Sequence, residues 1–153
     1  AALLGFVAVT LLVALVLSAA ASALIAPTQG VDTSAWWGFD GLAASIGDYL
    51  TTLAAASAWA LFGMALALVV GSTPVALGLG VAWAGPIEHL VGQDAWSAGQ
   101  GWLPGLLLEA LAQGGTPEAS VARAATLVSV YAAAAVVGAT WHFIRRDVAR
   151  DPT

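Results

Sequence analysis

The sequence predicts an all-α fold: a polytopic membrane helix bundle of four transmembrane helices, with one short re-entrant or interfacial helix on the outer side. Three observations carry that prediction. No Asp, Glu, Lys or Arg occurs before Asp32, and none lies between Asp48 and Glu88. The 153 residues are 60% hydrophobic and 8% charged, with a mean hydropathy of +0.90; an ordinary soluble domain is ~25% charged. Gly and Pro interrupt the apolar runs where crossings should end, since ~20 residues at ~1.5 Å rise traverse a ~30 Å hydrocarbon core.

The first span is expected over residues 3–26. Only Thr10, Ser18 and Ser22 could give it a polar face, and Pro27 and Gly30 end it. Residues 28–48 form a polar connection carrying Trp36, Trp37 and Phe39, as an interfacial aromatic belt would. The stretch 42–50 already reads as helical at the interface. The second span is expected over 49–70, and Gly71-Ser72-Thr73-Pro74 makes a tight cytoplasmic turn. Gly71 suits the position after a helix, Ser72 or Thr73 can cap the next one, and Pro74 can begin it.

The third span is expected over 74–90, with a kink at Pro86. Its Gly78 and Gly80 are candidate helix-packing residues, because small side chains let helices approach closely in lipid. Residues 92–115 are too polar to cross, yet an apolar run over 103–112 has the length of a re-entrant or interfacial helix. Thr116-Pro117-Glu118 reads as a helix start, and the fourth span follows over 118–143.

The arginines set the sidedness. Arg145, Arg146 and Arg150 cluster after the last span, which places the C-terminus in the cytoplasm by the positive-inside rule. Seven of the nine acids (Asp32, Asp40, Asp48, Glu88, Asp94, Glu109, Glu118) then fall outside. Arg123, about two turns into the last span, should snorkel outward or pair with an acid.

Several chemistries are excluded. There is no Lys, so no Walker A loop. The net charge of −5 argues against nucleic acid. With no Cys, thiolate metal sites and cysteine nucleophiles are absent, and His89 and His142 fall near opposite membrane faces, so no metal or other cofactor is expected. No nucleophile–base pair is visible, so no catalytic site is assigned. What remains is a candidate outer gate of Glu88, His89, Trp102, Pro104 and Glu109. Against it stand plainer readings: Glu88 and His89 simply face the outer headgroups, and the segment from Trp102 to Ala112 is a hydrophobic flap.

The order of these features resembles a known family. Ala60-Leu61-Phe62-Gly63-Met64-Ala65-Leu66-Ala67-Leu68, Gly71-Ser72-Thr73-Pro74, Ala76-Leu77-Gly78-Leu79-Gly80, Glu88, Trp102-Leu103-Pro104-Gly105 and Arg145-Arg146-Asp147-Val148 follow one another as in the C-terminal part of ABC-2 type transporter permeases. These are the membrane subunits of bacterial ABC exporters. The resemblance spans about residues 50–148 and reaches the first span only by hydropathy. It implies a six-span permease of which these residues are the last four spans, an ABC ATPase subunit that hydrolyses ATP, and a second permease copy, identical or not. The substrate would pass between the copies by alternating access. Two features depart from the family: Gly71 stands where many relatives have a basic residue, and the family's main ATPase-contacting helix would precede Ala1. The alternative is a small four-helix structural or assembly membrane protein without a substrate.

Overall fold

The computed structural model describes residues 2–92 and 97–148. Asp94 and Arg150, used above for sidedness, lie outside the described residues, as do the side chains of Arg146, Asp147 and Val148. Helix α1 runs Ala2–Ile25 and tightens into a 3-10 turn, Ala26–Gln29, that begins with Pro27 near its start and ends at Gly30 with φ 73°. That left-handed conformation is open to glycine without a Cβ penalty. Asp32 next organises a second 3-10 turn, Ser34–Trp37: its carboxylate accepts from the Ser34 N–H at 2.8 Å and the Ser34 hydroxyl at 2.9 Å. Those two bonds hold the Asp32 pKa below its ordinary value.

Helix α2, Phe39–Val70, is 32 residues long and starts ten residues before the expected second span. Gly38 is its N-cap, Asp40 sits in its first turn, and no Pro interrupts it before Gly71, so nothing in the stretch 39–48 stops a helix from propagating. At about 48 Å it exceeds a ~30 Å core by several turns. Gly71, φ 72°, closes it by donating to the Ala67 carbonyl at 2.9 Å. Ser72 is the N-cap of α3, Thr73–Ala82, through its extended backbone alone; its side chain makes no capping bond, and Pro74 takes the second helical position.

The third expected span is not one α-helix. After α3 come a π-helical turn, Trp83–Ile87, and a single turn α4, Glu88–Leu90. Pro86 lies inside the π turn and has no N–H to donate to the ladder, which is where extra residues are commonly accommodated. Helix α5 spans Pro104–Ala112 and α6 spans Val121–Val148. The Thr116-Pro117-Glu118 stretch does not start α6. It forms its own turn, with Thr116 and Ala119 exchanging backbone hydrogen bonds at 2.9 and 3.2 Å, and Ser120 accepts the first helical bond from Ala124 at 2.9 Å.

The described residues are helical, without strands. Three segments, Leu4–Gln29, Phe39–Val70 and Val121–Arg145, are long and apolar enough to cross a membrane, which makes the chain a multi-pass membrane protein. Helix α2 is the hub, packed against α1, α3, α5 and α6. Helix α1 is tied to it by the Tyr49 hydroxyl donating to the Ala8 carbonyl at 3.0 Å. The core lies where α5 wedges between α2 and α6: Leu107, Leu108 and Leu111 fill the space left by Ala55 and Ala58 on one side and Ala124 and Val128 on the other. Small residues on the two long helices let the short one enter.

Candidate functional site

A helix as short as α5 cannot supply partners for its own first N–H groups. Its N-cap is Leu103, which has no side chain able to accept, and Pro104 removes one donor. The missing acceptor comes from another helix. Glu88 Oε2 accepts from the Gly105 N–H at 2.7 Å and the Leu106 N–H at 3.1 Å, so a carboxylate sits at the positive end of the α5 dipole. Glu88 is 1% exposed. The reading in which it faces the outer headgroups is therefore corrected: it is an internal cap, pointed inward from the helix that Pro86 distorts.

Gly105 makes this approach possible. A Cβ there would meet Glu88 Oε2 at 2.7 Å, Ala84 Cβ at 2.9 Å and Ala84 Cα at 3.0 Å. Ala84 and Glu88, four residues apart across the π turn, thus form a notch that takes only a glycine. The glycines of α3 make no comparable contact within the chain. A Cβ on Gly78 would meet nothing within 4 Å, and one on Gly80 would meet only Leu66 at 3.8 Å. Within the chain the tight approach is at Gly105.

Beside the notch lies a cavity of about 570 Å³. Trp59, Phe62 and Leu66 from α2, Trp83 from the π turn, and Ala135 and Gly138 from α6 form much of its wall, with Pro104, Gly105 and Glu88 also in it. Glu88 is the one ionisable residue in that lining. Its second oxygen, Oε1, is buried and has no hydrogen-bond partner among the described residues. The Trp83 indole stands beside the Glu88 carboxyl in the same wall.

The other gate candidates divide between two places. His89 turns away from Glu88: its Nδ1 donates to the Gly85 carbonyl at 2.8 Å and its Nε2 lies 3.1 Å from Glu109 Oε2. Both side chains are partly exposed, and they line a polar pocket of about 210 Å³ with Gln100, Thr116 and Glu118. Pro104 belongs to the apolar cavity instead. Trp102 is half exposed. Its carbonyl accepts from the Tyr131 hydroxyl at 3.0 Å, and the Arg123 guanidinium stacks 5.1 Å from its ring centroid. Arg123 was expected to snorkel or to pair with an acid; among the described residues its partner is this aromatic face.

Gly105 and Ala84 were not singled out by sequence, although a Gly directly after a helix-starting Pro was a signal for close approach. Trp59 and Trp83 lie inside the expected second and third spans. No group of three or more potential metal ligands occurs among the described residues. No protein-family model, curated protein or solved structure matches this chain.

Proposed function

We propose that this chain is part of the permease subunit of an ATP-driven ABC exporter of the ABC-2 type, in the bacterial cytoplasmic membrane. The observation that supports the reading is the placement of α5: a short apolar helix between the α3–α4 segment and α6, folded back into the bundle and capped by Glu88. Permeases of that type carry short outer helices at the same point in the chain order. In this reading α3, the π turn and α4 together form a rod of about 27 Å that completes a fourth crossing alongside α2. The C-terminal arginines lie in the cytoplasm, and the polar pocket at His89 and Glu109 opens outward. The chain itself contributes no catalysis. Substrate moves between two permease copies, and separate ATPase subunits supply the energy.

The test is to tag the chromosomal copy after Thr153 and purify it from native membranes in a mild detergent. A co-purifying subunit with a Walker A sequence and vanadate-sensitive ATP hydrolysis, lost when the Walker lysine is replaced, is the expected result. A chain that purifies without an ATPase and without ATP hydrolysis contradicts the proposal and favours a structural or assembly role.

A further inference from the structure

The hydrogen bonds around His89 require a proton that a neutral imidazole does not have. Its Nδ1 lies 2.8 Å from the Gly85 carbonyl, which can only accept, so Nδ1 carries a hydrogen. Its Nε2 lies 3.1 Å from Glu109 Oε2, and a carboxylate also only accepts. The other oxygen, Oε1, accepts from the Gln113 side-chain amide at 2.9 Å. One more proton therefore sits between Nε2 and Oε2, and an imidazolium facing a carboxylate supplies it. A neutral ring would turn a lone pair on the carboxylate instead.

The pair joins two elements. His89 belongs to α4 and Glu109 to α5, so α5 is tied to α4 twice. Glu88, buried and turned the other way, holds its start, and His89 holds it one turn later. The side chains of the second tie are 43% and 45% exposed, so protons from solvent reach them. The pocket around them adds Gln100 and Thr116, which do not titrate, and one further acid, Glu118; α2 and α6 bring no charged residue into its lining. Arg123 of α6 is stacked on the Trp102 ring. No third His, Asp or Glu closes on the pair as a metal site among the described residues.

We infer that His89 and Glu109 form a proton-dependent latch. With a proton between them, the exposed side of α5 is fastened to α4; without it the contact turns repulsive and that side of α5 loosens, while the Glu88 cap holds the helix start. Histidine is the side chain whose charge ordinarily changes between about pH 5 and 8. The latch is therefore closed at the acidic end of that range and open at the alkaline end. It is built into the chain itself and does not depend on an ATPase partner.

The test uses the full chain in phosphatidylcholine nanodiscs and reads hydrogen–deuterium exchange of the α5 amides at about pH 5.5 and about pH 8.5, corrected for the intrinsic pH dependence of exchange. Protection over residues 108–113 should fall about three- to tenfold at the higher pH, the size of a partly exposed charged hydrogen bond. His89→Gln and Glu109→Gln should each remove that pH dependence; at 109 an amide can donate to the neutral ring or accept from the charged one. Glu118→Gln should keep it, which separates the latch from a general effect of charge. In a His142→Gln background His89 is the one histidine left, and nitrogen NMR of its ring reports the proton directly. Both ring nitrogens should be protonated at the acidic end, and the loss of that signal should track the loss of α5 protection. Equal protection at the two pH values in the native chain overturns the inference, as does a pH dependence that persists in both Gln variants or a ring that is neutral at the acidic end.

Discussion

The Gly105 amide donates to Glu88 Oε2 at 2.7 Å, and a Cβ placed on Gly105 would reach that same oxygen at 2.7 Å. The bond and the absence of a side chain are therefore one device: α5 can be capped from the neighbouring helix only because no Cβ on Gly105 stands in the way of the Glu88 carboxylate.

Gly105→Ala should destabilise the bundle by about 2–3 kcal/mol, since overpacking a closed contact costs ~1–3 kcal/mol and the cap is lengthened as well. Glu88→Ala should cost a comparable amount by leaving the Gly105 and Leu106 N–H groups without a partner. The pair should be strongly non-additive, because with the carboxylate gone the Gly105→Ala methyl loses its worst clash. Thermal unfolding in detergent, followed by helical circular dichroism, measures all three variants. Additive losses would mean that the two residues act separately.

The burial pattern of α5 sets a second expectation. Leu107, Leu108 and Leu111 are 0%, 1% and 3% exposed, whereas Glu109 is exposed. The chain has no Cys, so single replacements report cleanly. A membrane-impermeant thiol reagent applied to intact cells should label position 109 and spare positions 107, 108 and 111. Uniform labelling would make the segment a solvated loop and remove α5 from the core.

The contrast with α3 gives a third. Gly78 is exposed, and a Cβ there meets nothing, so Gly78→Leu should leave the stability of the isolated chain within about 0.5–1 kcal/mol, with any change in the stabilising direction because Leu outranks Gly as a helix former. Thermal unfolding measured beside Gly105→Ala decides it. A loss as large as at Gly105 would place a close contact on that face.

The helical class and the three long apolar helices were legible in the sequence because charge is so sparse. Pro104 and the apolar run behind it announced a short helix too small to cross. The start of α2 was only partly legible: residues 42–50 read as helical, but Trp36, Trp37, Asp32 and Asp40 made the stretch before them look like a loop, while no residue after Gly38 forbade a helix. Thr116-Pro117-Glu118 misled in the opposite sense: its capping chemistry was spent on a local turn, and Ser120 opened α6. The site was the hardest to read. Glu88 and His89 are adjacent, and only the helix geometry around Pro86 sends one side chain inward to α5 and the other outward to Glu109. The Gly105 notch depends on a contact across 17 residues of chain, which no local pattern encodes.

The account stands or falls on whether the rod from Thr73 to Leu90 crosses the membrane, because only then does α5 sit on the outer side between the last two crossings. Reporter domains inserted singly at Gly30, Gly71 and Gly99, and fused after Thr153, measure this directly. The account predicts external signals at Gly30 and Gly99 and cytoplasmic signals at Gly71 and after Thr153. Gly71 and Gly99 reporting from the same side would contradict it: the chain would then cross three times, with α3 and α5 on one face, and the permease reading would lose its structural basis.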